Sequence, residues 1–214
     1  MQLFSDDDPR PERSEPLPGV VLLPRFALRD EQDVLAGLAM IEAHAPFRHM
    51  QTRGGFRMSV AMTNCGDAGW ITDRRGYRYE NQDPLTAAPW PPMPATWRAL
   101  AQRASRKAGW ENFSPDACLV NRYAVGARMS LHQDRNEADF DQPVVSVSFG
   151  LSATFLFGGD VREQRPLRIP LRAGDVIVWG GTARLAYHGV APLKPGPETP
   201  FGECRINLTF RRAR

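Results

Sequence analysis

The chain has 214 residues, a net charge of +3 and a sequence pI near 9.0. This length suits one domain with its own core, and the mild basicity permits a nucleic-acid partner without requiring one. No apolar run reaches bilayer-spanning length, so no membrane segment is expected. Three widely spaced cysteines argue against a disulfide framework and favour a cytoplasmic location.

The N-terminal segment has a composition of its own. Residues 1–19 carry five acids and two arginines, a net of −3, which leaves +6 for residues 20–214. Proline is frequent there, and no apolar run marks a signal peptide. We therefore expect a flexible acidic tail over residues 1–18 and a single domain over residues 19–214, acting as a monomer.

Two segments have the apolar periodicity of helices. The first follows a short apolar strand at residues 20–23 and extends from about residue 30 to residue 44. The second covers residues 95–108, with Trp97 and Leu100 on one side. Both apolar stripes are typical of helices that pack against a core, and neither indicates a function.

Residues 48–79 combine basic and aromatic side chains with glycines. Six arginines face two aspartates, a local net charge of +4, and aromatic residues are interspersed among them. Basic side chains neutralise phosphates and aromatic rings stack on unpaired bases, so nucleic-acid binding is one interpretation. The other interpretation is a glycine-rich hairpin whose aromatic rings pack on a sheet.

The second half of the chain has the pattern of short strands separated by glycine and proline turns. The predicted strands cover residues 118–124, 144–149, 154–157, 167–171, 175–179, 184–188 and 204–211. Short strands at such regular spacing predict a sandwich or a jelly roll.

The segment Leu131-His132-Gln133-Asp134 contains a candidate metal-binding motif. In an extended segment, side chains at i and i+2 point to the same face, so His132 and Asp134 can approach one metal ion together. His188 would complete a triad of two histidines and one carboxylate, which leaves positions on iron(II) open for a cosubstrate and O2. An H-x-D motif is common, and the alternative is a surface loop with an ordinary histidine.

The predicted strand at residues 204–211 alternates in polarity. Arg205, Asn207, Thr209 and Arg211 share one face, and the opposite face is apolar. Such a polar face usually turns towards water. Beside a metal triad it could instead line a barrel pocket, where two arginines would suit the two carboxylates of 2-oxoglutarate.

Several longer stretches carry a resemblance to a known family. They are Met58–Gly66, Asn121-Arg122-Tyr123, the metal motif, Val178-Trp179-Gly180-Gly181 and Arg205-x-Asn207-x-x-x-Arg211. From about residue 19 to residue 211 the chain resembles the AlkB family of iron(II)- and 2-oxoglutarate-dependent dioxygenases, which repair alkylated nucleic-acid bases. The resemblance implies a mainly β fold with flanking helices. Its core would be a double-stranded β-helix (a cupin-like jelly roll) at about residues 115–214, with an N-terminal nucleotide-recognition lid at about residues 48–90.

The resemblance also implies roles for individual residues. The implied iron(II) ligands are His132, Asp134 and His188. The implied 2-oxoglutarate contacts are Asn121, Arg122, Tyr123, Arg205, Asn207, Thr209 and Arg211. The implied substrate contacts are Trp70, Tyr77, Arg78, Tyr79, Asn136 and Arg162, with Thr52 and Phe56 as further nucleic-acid contacts.

The implied reaction is oxidative demethylation. Decarboxylation of 2-oxoglutarate by O2 would be coupled to hydroxylation of the N-methyl group of 1-methyladenine or 3-methylcytosine, with release of formaldehyde. The substrate would be single- or double-stranded DNA, with RNA as a further candidate. In the bacterial pattern an acid stands two places after the carboxylate ligand, whereas this chain has Asn136 there, so its base selectivity is expected to differ.

Three other functions fit part of the pattern. A zinc hydrolase could use the same triad with a bound water, but it would leave Arg205 and Arg211 without a role. A non-catalytic binder of damaged or single-stranded nucleic acid would need neither the triad nor the arginines. A 2-oxoglutarate oxygenase with a substrate other than nucleic acid would keep both.

Overall fold

This computed structural model describes residues 10–214. Within them the chain forms fourteen strands and two α-helices. The helices are α1 (Glu31–His44) and α2 (Ala95–Ala108). The strands are β1 (Ser14–Leu17), β2 (Val20–Leu23), β3 (Arg48–Gln51), β4 (Arg57–Gly66), β5 (Gly69–Asp73), β6 (Gly76–Glu80), β7 (Ala117–Ala124), β8 (Met129–His132), β9 (Val144–Gly150), β10 (Ala153–Phe157), β11 (Leu167–Leu171), β12 (Val176–Trp179), β13 (His188–Val190) and β14 (Cys204–Arg211).

Two sheets face each other. The major sheet has eight strands in the order β1-β2-β12-β9-β14-β7-β4-β3, and the minor sheet has four in the order β11-β10-β13-β8. Every pair of neighbouring strands within residues 10–214 is antiparallel, as expected for a jelly roll. The predicted double-stranded β-helix with flanking helices is therefore confirmed.

The major sheet is covered on both faces. Its outer face packs on α1 and α2, where Ile206, Leu208 and Phe210 of β14 join one apolar cluster. Its inner face packs on the minor sheet, where Phe155 and Trp179 belong to a second cluster. Because neither face of β14 meets water, the polar half of its alternation lies inside the protein, between the two sheets.

The N-terminal segment is more ordered than a flexible tail to residue 18. Ser14–Leu17 form β1, which pairs with β2. Arg10 donates to both carboxylate oxygens of the buried Asp175, at 2.7 and 3.2 Å. The structure therefore differs from the prediction over residues 10–17, because a buried carboxylate and a free strand edge bind this segment. The first nine residues of the predicted tail lie outside the described residues.

The predicted strand at residues 184–188 is wrong. A 3-10 turn at Gly181–Ala183 is followed by further turns, with Arg184 N bonded to Gly181 O and Ala186 N to Ala183 O. Strand β13 begins only at His188. Arg184 and Ala186 are buried while Leu185 is exposed, so burial at every second residue occurs here without a strand.

The predicted lid range of residues 48–90 divides into two parts. Strands β3 and β4 belong to the major sheet, with β4 paired to β7 along its buried half. Only β5 and β6 form a separate hairpin, which we call the lid hairpin (Gly69–Glu80). Neither α-helix of the described part of the chain combines the length and apolar character that membrane crossing requires.

Candidate active site

Two histidines and an aspartate meet where β8 and β13 pair. His132 ends β8 and His188 begins β13, and the two residues are direct partners in the antiparallel register. Their ring centroids are 4.4 Å apart. Asp134 lies two residues beyond β8. Its Oδ1 is 3.7 Å from His132 Nε2, and its Oδ2 is 3.7 Å from His188 Nε2. One ligand atom from each residue lies within 4.8 Å of the others, so these residues could hold one metal ion.

The hydrogen bonds of the two histidines leave Nε2 available to a metal. His132 Nδ1 lies 2.9 Å from Ser130 O, and His188 Nδ1 lies 3.0 Å from Ala186 O. A carbonyl oxygen can only accept, so Nδ1 carries the proton in each ring and Nε2 presents its lone pair. Burial and the neighbouring His132 lower the pKa of His188 to about 4, which keeps it neutral. Each of the two histidines therefore presents an Nε2 atom that could bind a metal ion.

Arg211 holds the carboxylate of Asp134. Its Nε and Nη2 donate to Oδ2 of Asp134 at 2.8 and 2.6 Å, and both side chains are buried. Burial alone would raise the pKa of Asp134, but the charge and the hydrogen bonds of Arg211 lower it well below its usual range. Asp134 is therefore ionised at neutral pH, with Oδ1 free of this bond.

Arg205 is a buried arginine with donors that could bind an anion. The residue is 1% exposed and its Nη2 donates to Ser148 Oγ at 2.9 Å. Its Nε and Nη1 make no hydrogen bond to any of residues 10–214. Burial lowers the pKa of Arg205 from its ordinary value, and the neighbouring Tyr123 opposes this shift. A buried guanidinium with two unused donors fits a carboxylate, which accepts two parallel hydrogen bonds, and so fits 2-oxoglutarate.

A polar network lies beside Arg205. Asn207 donates to Ser146 Oγ at 2.8 Å and accepts from Asn121 at 3.2 Å and Thr209 at 2.9 Å. Asn121 Oδ1 remains without a partner among the described residues. The two serines of β9, Ser146 and Ser148, were missed in the sequence. Their alternation in the apolar strand V-V-S-V-S-F-G could have indicated that they face a polar interior.

Comparison with known proteins places the chain in a family. Residues 19–211 match the model of the 2OG-Fe(II) oxygenase superfamily. The chain is 51% identical over 214 residues to "Alpha-ketoglutarate-dependent dioxygenase AlkB" of Salmonella typhimurium (strain LT2), which covers 100% of this chain and 98% of that protein. The chain belongs to the AlkB family. It is an iron(II)- and 2-oxoglutarate-dependent dioxygenase that uses O2.

Two more distant relatives support the assignment of the chain to the AlkB family. The chain is 33% identical over 136 residues to "Nucleic acid dioxygenase ALKBH1" of Mus musculus, a match covering 63% of this chain and 34% of that protein. The solved structure "The structure of OsALKBH1" superposes with a TM-score of 0.81 at 29% identity, over 94% of this chain and 99% of that one. The shared fold therefore extends over nearly the whole described chain.

One residue of the AlkB-like motif lies elsewhere. Arg122 stands between Asn121 and Tyr123 on β7, so its side chain leaves the opposite face of the sheet. It bonds Glu42 of α1 at 3.0 Å and lies over the ring of Phe47 at 4.1 Å. The structure does not bring Arg122 to the pocket, and the predicted cosubstrate contact is wrong for this residue.

The lid hairpin is hydrogen-bonded to the loop that follows β8 and contains Asp134. Trp70 and Tyr77 stack with centroids 5.6 Å apart and planes at 20°, and Trp70 is half-buried. The Tyr79 hydroxyl donates to Glu137 Oε1 at 2.6 Å. Burial raises the pKa of Tyr79 well above its usual value, so the phenol keeps its proton. Glu137, which the sequence analysis did not single out, is thus the buried link between hairpin and loop.

Arg78 is held by the hairpin itself. Its guanidinium donates to Asp73 at 2.9 and 3.0 Å and to Glu80 at 2.7 Å. These bonds lower the pKa of Asp73 and raise that of Arg78. Arg78 is therefore a bracing residue of the lid hairpin in this structure, and a substrate contact would have to compete with two acids.

The remaining predicted contacts lie at the surface. Thr52 accepts from Phe56 N at 3.2 Å in the turn between β3 and β4, and the Phe56 ring is 77% exposed. Asn136 is exposed in the loop after Asp134. Their roles in nucleic-acid binding stay predictions.

Arg162 lies in a basic groove on the outer side of the minor sheet. The groove has a volume of about 450 Å³ and is lined by Arg128, Arg162 and Arg168 together with Leu131 and Leu156. No acid lines it, and these three exposed arginines form no ion pair within residues 10–214. Leu131 precedes the metal-site residue His132, so the groove borders the strand that carries the site.

Proposed function

We propose that this AlkB-family dioxygenase removes methyl groups from N-alkylated nucleic-acid bases, with 1-methyladenine and 3-methylcytosine in DNA as its substrates. The observation that carries the proposal is the His132, Asp134 and His188 ligand set together with the unsatisfied guanidinium of Arg205, which lies on the same strand as the Arg211 that bonds Asp134. A zinc hydrolase has no use for that second feature. A non-catalytic binder has no use for either.

We assign the residues as follows. His132, Asp134 and His188 hold iron(II), and Arg205 binds the distal carboxylate of 2-oxoglutarate, with Asn121, Tyr123, Asn207, Thr209 and Arg211 around it. Bound iron(II), with 2-oxoglutarate and O2, supplies the oxidising chemistry that hydroxylates the N-methyl group. The protein contributes orientation and the exclusion of water, since Asp134, His188 and Arg205 are all buried.

Two surfaces support nucleic acid as the substrate. The lid hairpin presents Trp70 and Tyr77, whose rings can stack on a base that has left the helix. The basic groove offers three unpaired guanidinium groups for phosphates of the same strand. We further propose that the protein acts as a monomer and, because its three cysteines are free, that it acts in the cytoplasm.

The test is a product assay with iron(II), 2-oxoglutarate and O2. Single- and double-stranded DNA and RNA oligonucleotides, each carrying one 1-methyladenine or 3-methylcytosine, are followed for repaired base, formaldehyde and succinate. We expect equal amounts of repaired base and formaldehyde with DNA, and at least as much succinate. Succinate formed without any repaired base would contradict nucleic acid as the substrate, while leaving the dioxygenase chemistry in place.

Trp70→Ala is expected to lower kcat/KM for a methylated oligonucleotide by roughly 5- to 150-fold. Stacking of a base on an aromatic ring contributes about 1–3 kcal/mol, which that factor expresses. Trp70→Phe retains a ring and should lose much less. Decarboxylation of 2-oxoglutarate without oligonucleotide should persist in both variants. A parallel fall of that reaction and of bound iron in Trp70→Ala would show that the residue is structural instead.

Asn136 bears on the choice of lesion. Methylation at N1 of adenine or N3 of cytosine leaves a positive charge, whereas an etheno adduct is largely neutral near pH 7. Two acids lie close to Asn136 in sequence and could already supply the charge, Glu137 and Asp139. Glu137 is buried and engaged with Tyr79, Arg184 and Arg211, so its charge is already offset, and Asp139 accepts from the main-chain nitrogen of Asp141 at 2.9 Å. The exposed Asn136 is therefore the position at which a new charge would act on the base.

Asn136→Asp is expected to raise kcat/KM for 3-methylcytosine more than for an etheno base. An opposite charge at about 4 Å contributes about 1 kcal/mol in water, or about fivefold in the ratio of the two substrates. Raising the salt concentration should shrink the gain, because exposed charges are screened. Both substrates are measured with both proteins at low and high salt. An unchanged ratio would mean that Asn136 does not face the base.

A further inference from the structure

Arg184 is a fully buried arginine outside the proposed ligand sets. It is 2% exposed and follows the Gly181–Ala183 turn, four residues before His188. All three of its nitrogens are used. Nε donates to Gln142 O at 3.0 Å, Nη1 to Asp134 O at 2.9 Å and Nη2 to Glu137 Oε2 at 3.3 Å. The ring of Phe140 lies over the guanidinium at 5.3 Å.

Every one of these partners belongs to the loop after β8, residues 133–143, which we call the carboxylate loop. The structure describes this whole loop and places no helix or strand in it. A second bond joins the same segments, since Gln133 Nε2 donates to Leu185 O at 2.6 Å. Residues 184–185, the same segment that leads into His188, are therefore one of the supports of the loop, together with Arg211 at Asp134 and the main chain of Ala213 at Ala138.

The charges around Arg184 balance as a set. Asp134 and Glu137 are buried carboxylates, and Arg184 and Arg211 are buried guanidinium groups. Arg211 contacts both acids, at 2.6 Å and 3.5 Å, whereas Arg184 reaches Glu137 by its side chain and Asp134 by its carbonyl. Arg184 therefore does two separate things: it offsets a charge and it fixes a main-chain position.

We propose that Arg184 is a positioning residue of the metal centre, which holds the main chain of Asp134 in register with His188 and fixes Glu137 for Tyr79 of the lid hairpin. The proposal rests on the proposed iron ligands. The direct bond to the Asp134 carbonyl sets where the Asp134 carboxylate can lie. The bond to Glu137 continues through the Tyr79 hydroxyl to β6, so one side chain connects the ligand-bearing loop with the lid.

The test measures iron affinity without relying on turnover. Fe(II) is titrated calorimetrically under anaerobic conditions into the full-length protein and the variants Arg184→Met, Arg184→Lys and Arg184→Met/Glu137→Gln. Arg98→Met is the matched control, because Arg98 also donates to a main-chain carbonyl, Pro115 O at 2.6 Å. Thermal denaturation reports stability, and kcat and KM with a methylated oligonucleotide report the lid.

In Arg184→Met we expect the Kd for Fe(II) to rise by about 10- to 100-fold, as for the loss of a residue that orients a ligand. The double variant should recover thermal stability, because the buried carboxylate that has lost one of its two arginine partners is gone, but it should not recover iron affinity. Arg98→Met should change stability alone. The oligonucleotide KM should rise in Arg184→Met, since Tyr79 loses a fixed partner.

Two results would overturn the proposal. Full recovery of iron affinity in the double variant would show that Arg184 only offsets the charge of Glu137. An unchanged Kd in Arg184→Met, with only the melting temperature lowered, would show a purely structural role. If Arg184→Met does not fold, Arg184→Lys decides, because it keeps the charge but not the fork of donors: an unchanged Kd there refutes positioning. Inactivity of the unaltered protein on oligonucleotides would refute the substrate while leaving these titrations valid.

Discussion

Asp134→Ala and His132→Ala are each expected to abolish turnover and to weaken iron binding by more than about 100-fold. Loss of a residue that merely orients a ligand costs about 10- to 100-fold in affinity, so loss of a ligand exceeds that range. The measurement is anaerobic Fe(II) titration together with succinate formation. Undiminished activity in either purified variant would remove the ligand assignment.

The two variants should differ in stability. Asp134 is buried and accepts both bonds from Arg211, so its loss leaves a buried guanidinium without its main partner. The His132 side chain is 41% exposed and makes one main-chain bond. His132→Ala should therefore keep the melting temperature, whereas Asp134→Ala should lower it. His44→Ala is the control, because exposed His44 also bonds a carbonyl, Met40 O at 2.8 Å, away from the metal site.

Arg205→Met is expected to raise the KM for 2-oxoglutarate by about 150- to 5,000-fold. Removing one partner of a buried charge pair costs about 3–5 kcal/mol, which corresponds to a factor of that order. Arg205→Lys keeps a charge but not the paired donors, and we expect an intermediate KM. Demethylation that no longer requires 2-oxoglutarate, or an unchanged KM, would contradict the assignment.

Stability provides a second readout for Arg205. Without cosubstrate, the guanidinium is buried with Nε and Nη1 unused, an arrangement that costs free energy. Arg205→Met should therefore melt at the same temperature or higher in the absence of 2-oxoglutarate. Addition of 2-oxoglutarate should stabilise the original protein and not the variant. Ser148→Ala, which removes the bonded partner of Nη2, should show a smaller effect on KM.

Much of the fold and site could be predicted from alternation in the sequence. The two faces of β14 were read correctly from period 2, because a strand is regular over eight residues. The same rule applied to β7 places Arg122 opposite to Asn121, and following it there would have prevented the wrong assignment. Alternation alone could not show that the polar face of β14 is interior, since that depends on a second sheet covering it.

The contacts of Arg184 and Glu137 could not be predicted in the same way. Arg184 and Glu137 lie 47 residues apart in the sequence, and Glu137 lies 58 residues from Tyr79. Nothing in the local pattern of a turn and a loop indicates that two charged residues will be buried together. Such pairs follow from the packing of the sheets, and charged residues are more often exposed.

Strand β14 lies in the middle of the major sheet, between β9 and β7, although it is the final strand along the chain. A nascent chain therefore cannot complete this sheet until residues 204–211 have been made. Until then, β9 and β7 each have one unpaired edge. Pairings this distant in sequence are slow to form. Because Arg205 and Arg211 arrive with the same strand, the fold and its cosubstrate pocket are completed in one step. Truncation within residues 204–211 should consequently produce aggregated protein and not a folded, inactive enzyme.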